Sequence, residues 1–89
     1  MSRITYQSLF AYLQNLQFED VSPSKFERVF EHRELGILLA VSMLDDPSED
    51  RVARDADILS AQFQLQQHGL LEGKLVDVTS QHVREFGAR

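Results

Sequence analysis

Phe26-Glu27-Arg28-Val29-Phe30-Glu31-His32-Arg33-Glu34-Leu35-Gly36-Ile37-Leu38-Leu39-Ala40-Val41-Ser42-Met43-Leu44 is the segment that decides the fold. Residues with strong strand preference, Phe26, Val29 and Phe30 and then Ile37 and Val41, flank the short connection Arg33-Glu34-Leu35-Gly36. That connection closes on glycine, the residue best able to take positive φ. The pattern predicts a β-hairpin. Alternation over 26–32 puts Phe26, Arg28, Phe30 and His32 on one face and Glu27, Val29 and Glu31 on the other, with Phe26 and Phe30 turned to the core. The returning strand, 37–43, is apolar almost throughout, as expected of a central strand covered on one face and partly shielded on the other. A hairpin alone does not survive in water, so helices on either side must cover it.

Those helices are legible. Over 4–16, Leu9, Leu13 and Leu16 recur at helical spacing with Tyr6 and Phe10 beside them, and Thr5 or Ser2 is placed to cap the start. A short edge strand is expected at 17–21, ended by Ser22-Pro23-Ser24, where proline disfavours helix in the residue before it. The run Asp45-Asp46-Pro47-Ser48-Glu49-Asp50 is a loop. A second helix is expected over 55–68, capped by Asp55, with Asp57 in its first turn and Gly69 after its end. Ile58, Ala61 and Leu65, with Leu59 and Phe63, would form its buried stripe. Thr79 or Ser80 could cap a terminal helix pairing Val83 with Phe86. The reading is a single α+β domain over 1–89. It has a small three-stranded antiparallel sheet packed on two helices, in the order α-β-β-β-α, with a short C-terminal helical appendage.

At 89 residues with 43% hydrophobic content, the chain supports one thin core. It has no cysteine, so it offers neither a disulfide framework nor a thiolate metal site, and a reducing cytoplasm suits it. The longest apolar run, 35–41, is far short of the roughly 20 residues that span a bilayer, so no membrane role is expected. A net charge of -5 argues against sequence-independent affinity for nucleic acid, which comes from Lys and Arg displacing counterions.

Motifs for chemistry are sparse. His32, His68 and His82 fall on different elements without metal-ligand spacing, and the acidic loop lacks the pattern of an EF-hand. No nucleophile elbow or phosphate loop occurs, and no cofactor is expected. Lys25, Arg28, His32 and Arg33 around the hairpin are candidates for a small phosphate- or RNA-binding surface, or else charges that blunt an exposed strand. Asp45, Asp46, Glu49 and Asp50 are candidates for contact with a protein partner. A winged helix is the structural rival, with 55–68 as recognition helix and 69–78 as the wing. Its outward Gln62, Gln64, Gln66 and Gln67, behind Asp55 and Asp57, would lack the cationic anchor that DNA binding needs.

The succession of elements resembles the HicA family of small toxins from bacterial toxin–antitoxin systems. Tyr6-Gln7-Ser8-Leu9 through Leu13 and Phe18 looks like the family's opening helix and its Leu-x-x-x-Gly-Phe turn. Val29-Phe30-Glu31-His32 through Gly36 looks like its central strand and turn, and 55–70 resembles its closing helix, with Leu65 to Leu70 as the Leu-x-x-x-Gly-Leu ending. Over about residues 4 to 71 the resemblance implies a fold similar to double-stranded-RNA-binding domains and messenger-RNA-cleaving activity in a bacterial cytoplasm. The family's functional His, in a Gly-Ser-His motif, is replaced here by Glu27 within Lys25-Phe26-Glu27. A carboxylate there repels phosphate and has no proton to donate at neutral pH.

The expected function is therefore a non-catalytic interaction module of HicA-like fold that binds a protein partner, with a homodimer allowed. The alternatives are an RNA-binding protein or mRNA interferase-type toxin, with Glu27 and His32 as the catalytic candidates, and a winged-helix DNA-binding regulator.

Overall fold

The computed structural model describes residues 4–77. Helix α1 (Tyr6–Asn15) leads into strands β1 (Glu19–Asp20), β2 (Glu27–His32) and β3 (Ile37–Ser42), then helix α2 (Asp55–Gln67), and a further helical turn opens at Leu75. The sheet is antiparallel in the order β1-β2-β3. This is the α+β arrangement expected. The capping and pairing proposed for Thr79, Ser80, Val83 and Phe86, and capping by Ser2, lie outside the described residues.

Helix α1 forms because Tyr6, Leu9, Phe10 and Leu13 bury one stripe, and because its first N–H groups all find acceptors. Thr5 is extended and its hydroxyl accepts from the Ser8 amide at 3.1 Å. The Tyr6 and Gln7 amides donate to the carbonyls of Arg51 and Glu49 at 3.1 and 2.8 Å. A loop distant in sequence thus completes the helix start. At the other end, Phe18 and Gln17 donate back to the carbonyls of Leu13 and Gln14, a Schellman closure with Gln17 at φ 77. Helix α2 closes the same way, Leu70 and Gly69 donating to Leu65 and Gln66, but with glycine at φ 74.

The core lies between α1 and the inner sheet face. Phe30 is fully buried, its ring 4.9 Å from that of Phe10, with Ile37, Leu39 and Val41 from β3 beside it. Residues Leu71 and Leu75 close the core from the C-terminal side, where the Leu75 amide donates to Gln62 Oε1 at 2.9 Å.

Four expectations are corrected. Phe26 precedes β2 and is exposed, under the Lys25 ammonium: its carbonyl still accepts from the Met43 amide, but its ring lies at the end of the sheet, outside the buried core. Strand β3 is an edge, not the centre: among the described residues no strand pairs beyond it in the order β1-β2-β3, and α2 packs against it. Leu59 and Phe63 face away from the buried side of α2, which consists of Ala61 and Leu65 with Ile58 partly covered. Asp55 is the first helical residue of α2 and not its cap; Arg54 holds the cap position without a side-chain bond.

Candidate functional site

The cations proposed from the sequence fall in two places, Lys25 with Arg28 and His32 with Arg33. Arg28 lies on the inner face of β2 with its side chain 11% exposed and its guanidinium 4.7 Å from the Phe10 ring centroid. It donates to Asp20 at 2.7 Å, to Glu49 and to the Ser22 hydroxyl. Burial opposes the charge on Arg28, and the two carboxylates more than restore it, so its pKa is raised. Burial likewise pushes Asp20 up, but the Ser22 hydroxyl and amide and the Arg28 guanidinium together hold its carboxyl below the ordinary value.

Arg33 is exposed at the turn and pairs with Glu19 at 3.1 Å and Glu31 at 3.7 Å. His32 is buried, 7% exposed, edge-on to Phe18. Its Nδ1 accepts from the Leu35 amide at 3.3 Å, which leaves the neutral ring's proton on Nε2. His32, Arg33, Glu34, Gln14 and Gln17 line a cleft of about 400 Å³. Lys25, in the loop before β2, lines a second, shallow cleft with Arg28, Asp20, Ser22 and Ser24. The four cations do not share an open surface. Glu27 and His32 lie at opposite ends and on opposite faces of β2, roughly 16 Å apart at ~3.3 Å per residue, and cannot act on one substrate atom together.

The acidic segment is internally engaged. Asp45 pairs with Arg54 and, at 3.4 Å, with Arg51. The Arg54 bond is the chief cause of its lowered pKa. Asp46 accepts from the Ser48 amide at 3.0 Å and is held below the ordinary carboxylate value first by that bond. Glu49 is taken by Arg28. Of the four candidate partner contacts, Asp50 has no such bond among the described residues. Sequence reading did not foresee the Arg51 guanidinium 4.8 Å from the Tyr6 ring centroid, or the Tyr6 hydroxyl between Asp57 and the Arg54 amide. Two arginines within a run of acids were the visible signal.

The two sheet edges differ. Edge strand β1 is two residues long, both acidic. Edge strand β3 is six residues long, Ile37-Leu38-Leu39-Ala40-Val41-Ser42, without a charge or proline. The Met43 amide donates to the Phe26 carbonyl at 2.8 Å, which fixes the phase of the β2–β3 ladder: Ile37, Leu39 and Val41 bond inward, and the amides and carbonyls of Leu38, Ala40 and Ser42 point outward. The Ser42 carbonyl accepts from Arg54 at 3.3 Å, in keeping with that phase. Leu38 is 62% exposed on the uncovered sheet face, and Leu35 and Leu44 are exposed beyond the two strand ends.

Following α2, the chain turns at 69–73 and enters a helical turn, so the described residues contain no wing hairpin. Among them, no helix is long and apolar enough to cross a membrane, and no three His, Cys, Asp or Glu side chains are grouped to hold a metal ion. Comparison with protein-family models, curated proteins and solved structures finds no match to the chain.

Proposed function

We propose that this chain is a non-catalytic interaction module that binds a protein partner by strand addition at β3. The observation that supports it is the contrast between the edges. Natural sheets blunt their edges with charges, prolines or short strands. Strand β1 is blunted in that way; β3 has none of these devices, and among the described residues its outward backbone groups, other than the Ser42 carbonyl, have no bond. Strand addition would satisfy such groups and let side chains on alternate positions set specificity. The acidic segment is the weaker docking surface, since Asp45, Asp46 and Glu49 already face arginines of the same chain.

Kinship with the HicA toxins belongs to this proposal and rests on the sequence patterns at 6–18, 29–36 and 55–70. The pairing of Arg28 and Arg33 with carboxylates, and the burial of His32, favour a module that has no RNA surface.

The test is purification of tagged protein from its native cell, in parallel with Ala40→Lys and with a variant neutralised at Asp45, Asp46, Glu49 and Asp50. A stoichiometric protein, or self-association, that Ala40→Lys removes and the neutralised variant keeps is the expected result. Absence of both, or loss only on neutralisation, rejects strand addition.

A further inference from the structure

We propose that the occupant of the β3 edge is a second copy of this chain, joined antiparallel about a two-fold axis at Ala40 into a continuous six-stranded sheet; this rests on the reading of β3 as an interaction edge. The outward backbone groups belong to three residues, Leu38, Ala40 and Ser42, and Ala40 is their midpoint. A two-fold there sets Ala40 against Ala40 and Leu38 against Ser42 of the other copy. Every outward amide then meets an outward carbonyl, and the Ser42 carbonyl, already accepting from Arg54, has a second lone pair for the bond.

The side chains single out self-pairing. An isologous interface sets the residue at the axis against its own copy and its neighbours against one another, so like charges there oppose it. Strand β3 has none, whereas the same operation on β1 would set Glu19 and Asp20 against themselves. Carried past the strand ends, the Ala40 register brings Leu44 of one copy to the position of Gly36 of the other, beside Leu35. The exposed leucines at the two ends of β3 thus meet each other, an arrangement that requires both ends of the same strand to be present twice. On the outer face, Leu38 lies diagonal to Ala40 of the second copy.

The net charge of -5 does not forbid this. Within the sheet, Glu27 and Glu31 of β2 are separated from their counterparts by three strand spacings, roughly 14 Å at ~4.8 Å each, which exceeds the Debye length of ~8 Å at physiological salt. Past the strand ends the same register brings Asp45 and Asp46 towards Leu35 and Glu34 of the other copy, and both aspartates are already paired, Asp45 with Arg51 and Arg54 and Asp46 with Arg51.

Two measurements test it. The chain has no cysteine, so Ala40→Cys introduces a single thiol. Directly opposed residues in a hydrogen-bonded antiparallel pair have Cα atoms about 5.5 Å apart, within the roughly 4.4–6.8 Å that a disulfide spans. Mild oxidation should convert Ala40→Cys to a covalent dimer and leave Leu44→Cys, about eight residues out of register with itself, monomeric. In the unmodified protein, exchange of the Leu38, Ala40 and Ser42 amides should slow at least tenfold between micromolar and millimolar concentration, alongside dimer formation in sedimentation equilibrium. Fast exchange and a monomer at every concentration would overturn the second copy and leave β3 open to a different protein. Slow exchange at every dilution, in a monomer, would show the edge covered by its own chain and overturn both readings.

Discussion

The hydroxyl of Tyr6 donates to Asp57 Oδ2 at 2.5 Å and accepts from the Arg54 amide at 3.2 Å, so one side chain ties the start of α1 to the start of α2 across 51 residues. The Tyr6 ring is fully buried, and on its other side the Arg51 guanidinium lies over it. Removing the hydroxyl leaves a carboxylate and an amide without their partner in a part-buried place. Tyr6→Phe should therefore cost about 1–3 kcal/mol, read as a lower urea midpoint at unchanged slope.

Tyr6 also defines an alkaline limit. Burial, and then the bond to Asp57, raises its pKa above 10.0. With the folded value above the unfolded one, its contribution is complete below pH ~10 and is lost as pH rises through the folded value. Thermal unfolding of the wild type should show this loss at high pH, and Tyr6→Phe should lack that component.

The acid limit belongs to Asp20, Asp45 and Asp46. All three titrate below their ordinary value in the folded state. Their contribution is present above pH ~4 and disappears as pH falls through the lower folded values. Asp20→Asn should flatten the acid limb of a stability-pH curve while changing little at its alkaline end.

Arg28 is held by two carboxylates and two aromatic rings. Arg28→Met keeps a long apolar stem but leaves Asp20 and Glu49 facing each other's charge. The expected loss is about 2 kcal/mol, below the ~3–5 of a fully buried pair because Glu49 is partly in water. Adding Asp20→Asn and Glu49→Gln should recover part of it, which a double-mutant cycle would measure.

Gln17 occupies a left-handed position that glycine fills without strain, and it stands where the Leu-x-x-x-Gly-Phe pattern has glycine. Gln17→Gly should stabilise the chain by about 1 kcal/mol, since non-glycine residues pay roughly 1–2 kcal/mol for that conformation. A melting temperature that falls would show that the Gln17 side chain, which lines the His32 cleft, contributes more than the strain takes away.

Phe30 and Phe26 belong to one alternating pattern, yet Phe30→Ala should cost about 3–5 kcal/mol and Phe26→Ala less than ~1. Denaturant unfolding of the two variants compares a fully buried ring with an exposed one.

The local patterns of this sequence reach a long way. The period of Leu9 and Leu13, the capping hydroxyl of Thr5, the alternation through Phe30, the turn ending at Gly36 and the stop at Gly69 are governed by backbone conformation and nearest-neighbour spacing. Each sets an element without reference to distant residues, and together they determined the α-β-β-β-α order. Which element lies beside which is decided by contacts between residues far apart in the chain. An apolar strand such as 37–42 suits the centre or the edge of a sheet, and only the pairing order β1-β2-β3 made it an edge. The exposure of Phe26 follows from where the sheet ends, and that of Leu59 and Phe63 from which side of α2 packs on the core. The segment 45–57 looks in sequence like an excess of negative charge; folding brings Arg28 to Glu49, sets the segment's own Arg51 and Arg54 against Asp45, and turns the carbonyls of Glu49 and Arg51 towards α1. The uncharged edge could be read from the sequence of β3, but that it is an edge, and that its outward groups centre on Ala40, depends on pairing across the ladder, which only the tertiary structure fixes.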